Sequence, residues 1–320
     1  MLSGDRYTVT EIFSLKGKKV WVAGHRGMAG SAIVRRLATE DCEVLTVDRQ
    51  SVDLRRQEQV EAWMDEHRPD VVFHAAGKVG GILANSTYPA HFLYDNMMIA
   101  ANVIHAAYLT KVQKLLFLGS SCIYPRHAAQ PMREDALLSG ALEPTNEAYA
   151  IAKISGIKMC EAYRKQYGSD FISAMPTNLF GPGDNFNIEA GHVVAGLLVK
   201  AHRAKVDGAE SLELWGSGKP LREFLFVDDL ADACVFLVKN YSDGPHVNMG
   251  SNLEYSIRQL AEAICEVVGF KGEFVFDSTK PDGMPRKLMD GSRLAQMGWM
   301  AKTSLVDGLK NAYQWYLERV

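Results

Sequence analysis

The sequence has little of what marks a special environment. Its five cysteines (Cys42, Cys122, Cys160, Cys234, Cys265) are odd in number, scattered, and never spaced C-x-x-C. That pattern fits reduced thiols in a cytoplasmic protein better than a disulfide framework or a zinc site, so no metal is expected. No apolar run approaches the ~18 residues that suggest a membrane span. The N-terminal MLSGDRYTVTEIFSLKGKK interrupts its apolar residues with charge and has no continuous signal-peptide core. A membrane partner is therefore not expected. Neither sign of charge dominates: 35 Lys and Arg stand against 38 Asp and Glu, for a net charge of −3. With a sequence pI of about 6.3, the chain has no electrostatic footprint for nucleic acid. Repeats and low-complexity segments are also missing. What remains is an ordinary globular composition, 47% hydrophobic and 23% charged over 320 residues. That length can bury a core in one large or two moderate domains.

What is present is alternation. Residues 18–24 (KKVWVAG) read as a buried strand, and HRGMAGSAIVRRLATE after them has helical spacing. Strands follow at 43–48, 71–77, 114–120 and 171–182, separated by helices at 57–68, between Pro89 and Thr110, and at 145–168. Strands alternating with helices of this length imply βαβ units. The expected fold is α/β: a Rossmann-type, doubly wound parallel sheet. After Gly181-Pro182-Gly183-Asp184 the rhythm changes. A helix near 191–206, a strand at 211–216, a helix at 256–269, a strand at 274–277 and a helix at 304–318 suggest a smaller α/β C-terminal domain. The segment from Val227 reads as a return to the first domain. The expected division is 1–180 plus about 227–248 for nucleotide binding, and about 181–226 plus 249–320 for substrate, with the site in the cleft between them.

Three motifs carry chemistry. Gly24, Gly27 and Gly30, in GHRGMAG between the first strand and its helix, permit a tight turn that lets backbone N–H groups approach a pyrophosphate. Asp48 and Arg49 end the second strand. An acid there accepts from the ribose 2′-OH of NAD, whereas an arginine accommodates the 2′-phosphate of NADP, so the two neighbours conflict. Tyr149 and Lys153 stand four apart on one helix face. A nearby ammonium favours phenolate and is expected to bring the tyrosine down toward a useful acid–base range. One βα unit earlier, LGSSCIYP places Ser120, Ser121 and Cys122 where a strand stops. Each motif has a plainer alternative: an ordinary glycine turn, a surface Tyr–Lys pair, a polar turn with a small buried thiol.

In this order, the glycine loop, the serine and Y-x-x-x-K resemble the extended short-chain dehydrogenase/reductase superfamily. LGSSCIYP, LEPTNEAYAIAK, PTNLFGPGDNF, WGSGKPLREFLFVDD and KPDGMPRK further resemble the GDP-L-fucose synthase family, NADPH-dependent 3,5-epimerase/4-reductases, from about Lys18 to the C-terminus. The first 16 or so residues are expected to be an extension. The resemblance implies an enzyme acting on GDP-4-keto-6-deoxy-D-mannose, whose C4 ketone acidifies the protons at C3 and C5. Cys122 is implied as base and His192 as acid, with reference pKa values near 8.5 and 6.5 for thiol and imidazole. Tyr149 is implied to protonate the C4 oxygen, with Lys153 holding the nicotinamide ribose and Ser120 the substrate oxygen. NADP contacts are implied at Gly24, His25, Arg26, Gly27, Met28, Ala29 and Gly30, then at Asp48, Arg49, Asp53 and Leu54. Further cofactor contacts are implied at Leu118, Gly119, Ser120, Ser121, Lys153, Pro176, Thr177, Asn178, Leu179 and His192. Lys200, Trp215, Arg222, Asp282 and Lys287 are implied for the GDP-sugar. The family also implies a homodimer through two long helices, here 89–109 and 145–167. Asp48 stands where relatives often have a neutral residue, which keeps NAD open. A GDP-L-colitose synthase, or a non-catalytic NADP-binding sensor, are the competing readings.

Overall fold

Apolar runs and amphipathic segments assemble into a helix-covered parallel sheet in the computed structural model, which describes residues 11–187, 191–279 and 282–320. Residues 1–10 of the expected extension, and Lys280 and Pro281 of KPDGMPRK, lie outside the described residues. The first half runs β1 (Lys19–Ala23), α1 (Met28–Leu37), β2 (Glu43–Leu45), α2 (Gln57–His67), β3 (Val71–His74), α3 (Ile82–Thr87), α4 (Pro89–Leu109), β4 (Lys114–Leu118), α5 (Glu147–Tyr167) and β5 (Phe171–Pro176). The second half runs β6 (Asn178–Phe180), α6 (Val193–Val206), β7 (Ser211–Trp215), β8 (Leu221–Phe226), α7 (Val227–Asn240), β9 (Val247–Met249), β10 (Glu254–Ser256), α8 (Ile257–Val268), β11 (Glu273–Asp277), β12 (Arg286–Lys287), α9 (Ser292–Gln296) and α10 (Leu305–Leu317).

The main sheet has the order β2-β1-β3-β4-β5-β9, and every pairing in it is parallel. Its inner strands are mostly apolar because helices cover both faces, with His74, Lys114 and Ser173 as buried polar exceptions. On one face, Ile33 and Leu37 of α1 meet Leu230, Val235 and Leu237 of α7 over Val20, Val22 and Phe73. On the other, Trp63 of α2, Val103 and Ile104 of α4 and Ile157 of α5 pack over Trp21, Val72 and Phe117. The chain leaves β1 for β2 at one edge and then crosses back to β3. The strand order therefore reverses between β1 and β3, and a crevice opens at their carboxyl ends. A second core joins α6, α8 and α10 to β7 and β8. There the sheet runs β10-β8-β12, with β6 also on β8, and β7 pairs with β11.

Two elements differ from the expected ones. The strand foreseen over 43–48 stops at Leu45. It is an edge strand with β1 as its neighbour, and Val47 and Asp48 instead line the crevice. The run 171–182 breaks into β5 and β6. Thr177 between them donates its N–H to the Met249 carbonyl at 3.0 Å, after which the chain joins the second sheet by pairing with β8. Late in the chain, Leu294 and Trp299 return to the first core, although the sequence pattern assigns the run from 249 onward to the second domain. Among the described residues, no helix is long and apolar enough to cross a membrane, and no group of three or more potential ligands could hold a metal ion.

Candidate active site

The crevice at the β1/β3 switch is a cleft of about 880 Å³, lined among others by Gly24, His25, Arg26, Gly27, Asp48, Arg49, Asp53 and Leu54. Its glycines are fixed by space. Gly24 takes φ +87°, and a Cβ there would lie 2.7 Å from the Ala76 backbone. At Gly30 a Cβ would fall 2.1 Å from the Gly24 carbonyl oxygen, so the loop closes tightly onto the start of α1. Gly27 caps that helix with no side-chain bond to its amides, which leaves the first N–H groups for an anion. Met28 and Ala29 form the first turn beyond. Asp48 is not a free acceptor: Arg26 donates to it at 2.7 Å, and His25 Nε2 lies 3.3 Å away. Its negative charge is thus balanced where it would otherwise repel a 2′-phosphate. The Asp53 carboxyl is pulled down to about 2, chiefly by its hydrogen bonds from Arg55. Arg55 also reaches Asp95 at 3.2 Å, and Lys78 lies 3.4 Å from the same carboxylate. Arg55, Asp95 and Lys78 do not stand out in the sequence, because their charges look like solvated surface until the fold turns them inward.

At the end of β4 the chain forms a compact polar corner. Lys153, buried within α5, donates to the Leu118 carbonyl at 2.9 Å and sits 5.9 Å from the Tyr149 ring centroid. Burial pushes the lysine down to about 8. Tyr149 behaves opposite to expectation: burial first, and then the charge of Cys122, push its phenol up, against a lowering hydrogen bond from Ser120. Lys153 is not among the groups that shift the phenol, and burial decides its direction. A protonated phenol is the form that donates. A Cβ at Gly119 would lie 2.2 Å from the Met175 sulfur, so that flexible side chain would have to shift to admit one. Ser121 is buried, whereas Ser120 caps the short turn Ser121–Ile123 by accepting from the Cys122 N–H at 3.3 Å.

Cys122 faces a different set of neighbours. Asn146 Nδ2 donates to its sulfur at 3.3 Å, and Lys287 Nζ lies 3.8 Å from it. His192 caps the start of α6, with Nδ1 3.7 Å from Asp184 Oδ1; the imidazole is 45% exposed and the carboxylate 4%. The hydrogen bond to Asp184 raises the histidine's pKa, outweighing the opposing effect of burial. The other oxygen of Asp184 is buried without a partner. Asn146 and Asp184 are site residues that sequence reasoning misses, although both sit inside motifs whose other members carry the resemblance.

The residues expected for the GDP-sugar lie on the second sheet and its loops. Arg222 on β8 and Lys287 on β12 are register partners. Burial lowers the Arg222 pKa, with Asp282 opposing. Asp282 is tied to Ser217, accepting from its N–H at 2.6 Å and its hydroxyl at 2.8 Å. Lys200 lies 4.9 Å over the Trp215 ring, which is 57% exposed. Pro176, Thr177, Asn178 and Leu179 make the crossover between the sheets. Asn178 donates to the Glu223 carbonyl at 2.7 Å, so this stretch holds the lobes together beside the strand ends.

A reversed parallel sheet, a glycine cradle under an uncapped helix and a buried Tyr–Lys pair together define a nicotinamide-dependent enzyme of Rossmann type, and the residues present fit such a cofactor. The chain belongs to the NAD dependent epimerase/dehydratase family, whose model matches residues 20–250, and within it to the GDP-L-fucose synthases. It is 58% identical over 309 residues to GDP-L-fucose synthase of Sinorhizobium fredii, covering 97% of this chain and 98% of that one. With GDP-L-fucose synthase 1 of Arabidopsis thaliana it shares 57% identity, covering 97% of each. A GDP-L-fucose synthetase from Naegleria fowleri bound to NADP superposes with a TM-score of 0.88 at 30% identity, covering 96% of this chain and 97% of that one. GDP-L-colitose synthase of Yersinia pseudotuberculosis is more distant, at 37% identity over 93% of this chain and 98% of its own length.

Proposed function

We propose that the protein converts GDP-4-keto-6-deoxy-D-mannose to GDP-L-fucose by 3,5-epimerisation and 4-reduction. One observation carries this reading. The turn after β4 holds Ser120 against Tyr149 and places Cys122, two residues on, within reach of Asn146 and Lys287. A reductase needs the first arrangement; the second suits carbon acids beside a ketone. Cys122 removes the proton at C3 or C5, leaving the electron pair delocalised onto the C4 oxygen. His192, whose pKa is raised by Asp184, returns a proton from the opposite face. Tyr149, kept as neutral phenol by burial, gives its proton to the C4 oxygen. Bound at the glycine loop, NADPH supplies the hydride to C4. Gly24 through Gly30 cradle the pyrophosphate of that cofactor, with Arg26 and Arg49 at the 2′-phosphate and Lys153 at the nicotinamide ribose. Leu118, Gly119 and the crossover 176–179 close the nicotinamide side.

The proposed division is a nucleotide lobe of residues up to 180 plus 227–248, and a substrate lobe carrying Lys200, Trp215, Arg222, Asp282 and Lys287. Residues 289–301 cross back to brace the first lobe. The proposed assembly is a homodimer through α4 and α5, which leave Tyr94, Met97, Leu109, Ile151 and Tyr167 exposed. Five free thiols suit a reducing cytoplasm, the proposed location. The test is direct: GDP-4-keto-6-deoxy-D-mannose, NADPH and enzyme in deuterated buffer. GDP-L-fucose carrying deuterium at C3 and C5 is expected. A product epimerised at C5 alone or at neither carbon, or cofactor binding without turnover, overturns the reading. Sedimentation of the same sample at twice the chain mass checks the dimer.

A further inference from the structure

The resemblance hands Lys287 to the GDP-sugar, but its ammonium reaches a different group. β12 brings it alongside Arg222 of β8, and from there Nζ reaches across the lobes to 3.8 Å from the Cys122 sulfur, 165 positions away in the chain. Asn146 Nδ2, at the start of α5, donates to the same sulfur at 3.3 Å. A neutral thiol offers these donors a weak acceptor, whereas a thiolate accepts from both.

We propose that Lys287 is a positioning residue for the epimerase half of the reaction: it is the counter-charge that holds Cys122 as a thiolate, with Asn146 as the second donor. This rests on the reading of Cys122 as the base. The step balances without further reagents. The C–H bond breaks, its proton goes to sulfur, its electron pair passes into the enolate, and Lys287 keeps its own proton throughout. The arrangement also orders the two acids of the site. Negative charge on Cys122 contributes to raising the Tyr149 phenol, so the tyrosine keeps its proton while the sulfur is ionised. Once the thiolate has taken a proton from carbon, that repulsion is gone and Tyr149 can release its own to the C4 oxygen.

The experiment uses the free enzyme, where a GDP-sugar contact has nothing to hold. Iodoacetamide alkylation of Cys122 is timed at pH 7.5 by peptide mass spectrometry, with the partly exposed Cys42 as internal reference. Lys287→Met is expected to slow Cys122 about fivefold or more, through loss of thiolate, and to leave Cys42 unchanged. Lys287→Arg is expected to restore most of the rate. Lys287→Gln, nearly isosteric and neutral, serves as a second uncharged variant should methionine disturb folding. In turnover, Lys287→Met is expected to lower kcat for C3 and C5 exchange more than it raises KM. A wild-type alkylation rate in the uncharged variants, with the loss appearing in KM alone, overturns the proposal and leaves Lys287 a GDP-sugar contact. If Cys122→Ser spares exchange, the base assignment fails instead; alkylation still decides whether Lys287 governs the thiol.

Discussion

The corner proposed for reduction and the corner proposed for epimerisation share one strand end but draw on different lengths of chain. Reduction uses Ser120, Tyr149 and Lys153, closed on itself when Lys153 bonds the Leu118 carbonyl 35 positions back. Tyr149 and Lys153 are less than a tenth exposed. Epimerisation uses Cys122, Asn146 and His192 with Asp184, and needs Lys287 from another sheet. Its histidine stays half-exposed. The contrast follows from the chemistry. A hydride and a proton are delivered to one carbon and its oxygen, so a buried, pre-set geometry serves best. Epimerisation must strip protons from one face of two carbons and supply them on the other. Its acid and base have to be reloaded, which requires access to water.

The largest test separates the corners. Tyr149→Phe is expected to lower NADPH oxidation by about 10²–10⁴-fold, the usual worth of a positioned acid, while deuterium still enters C3 and C5. Cys122→Ser is expected to do the reverse to exchange, by a similar factor, and to leave NADPH affinity intact. Stopped-flow absorbance and proton NMR read the two events independently. If both variants lose both activities in proportion, the division into two corners is wrong.

A smaller effect probes the rigidity of the reductive side. A Cβ at Gly30 would meet the Gly24 carbonyl at 2.1 Å, and backbone cannot yield as a side chain does. Overpacking of this kind costs about 1–3 kcal/mol. Gly30→Ala is therefore expected to raise the NADPH Kd about tenfold or more, read by fluorescence titration. Exchange at C3 and C5, which does not draw on the glycine loop, is expected to change little. Wild-type affinity in this variant would falsify the tight cradle.

Sequence legibility follows the same line. The reductive corner lies within residues 118–153, where strand end, helix phase and i,i+4 spacing suffice to place its members relative to one another. The parallel order of the sheet is legible for the same reason, since each βα unit is local. The partners of Cys122 and His192 are not. Asn146 reads as an ordinary helix start, Asp184 as a turn residue after glycine, and Lys287 as a GDP-sugar contact by resemblance. Only the pairing of β12 with β8 puts that ammonium near sulfur. Tyr149 shows the other limit: four-residue spacing foretells proximity to Lys153 correctly, but not that burial decides the direction of the phenol. Thr177 is similar: resemblance marks it for the cofactor, but its place in an apolar run does not show that the strand breaks there until Met249 is opposite it.

The smallest expected effect tests whether the epimerase corner is tuned as well as assembled. His192 must be protonated to act as acid, and its pKa is raised mainly by its hydrogen bond to Asp184, against a lowering by burial. The alkaline limb of exchange should therefore fall as pH rises through that raised value. Asp184→Asn removes the raising cause and leaves the opposing one, so the alkaline limb is expected to move to lower pH. Because the imidazole is 45% exposed, solvent screens the pair. An exposed ion pair is worth about 0.2–1 kcal/mol, so the loss at neutral pH should be about fivefold at most, shrinking as the buffer becomes more acidic. The readout must be exchange rather than NADPH oxidation. Lys153, held down to about 8 by burial, would add an alkaline limb of its own and belongs to the other corner. A limb that stays in place would make Asp184 a structural cap for its loop. A limb that moves upward would mean that a group other than this imidazole sets it.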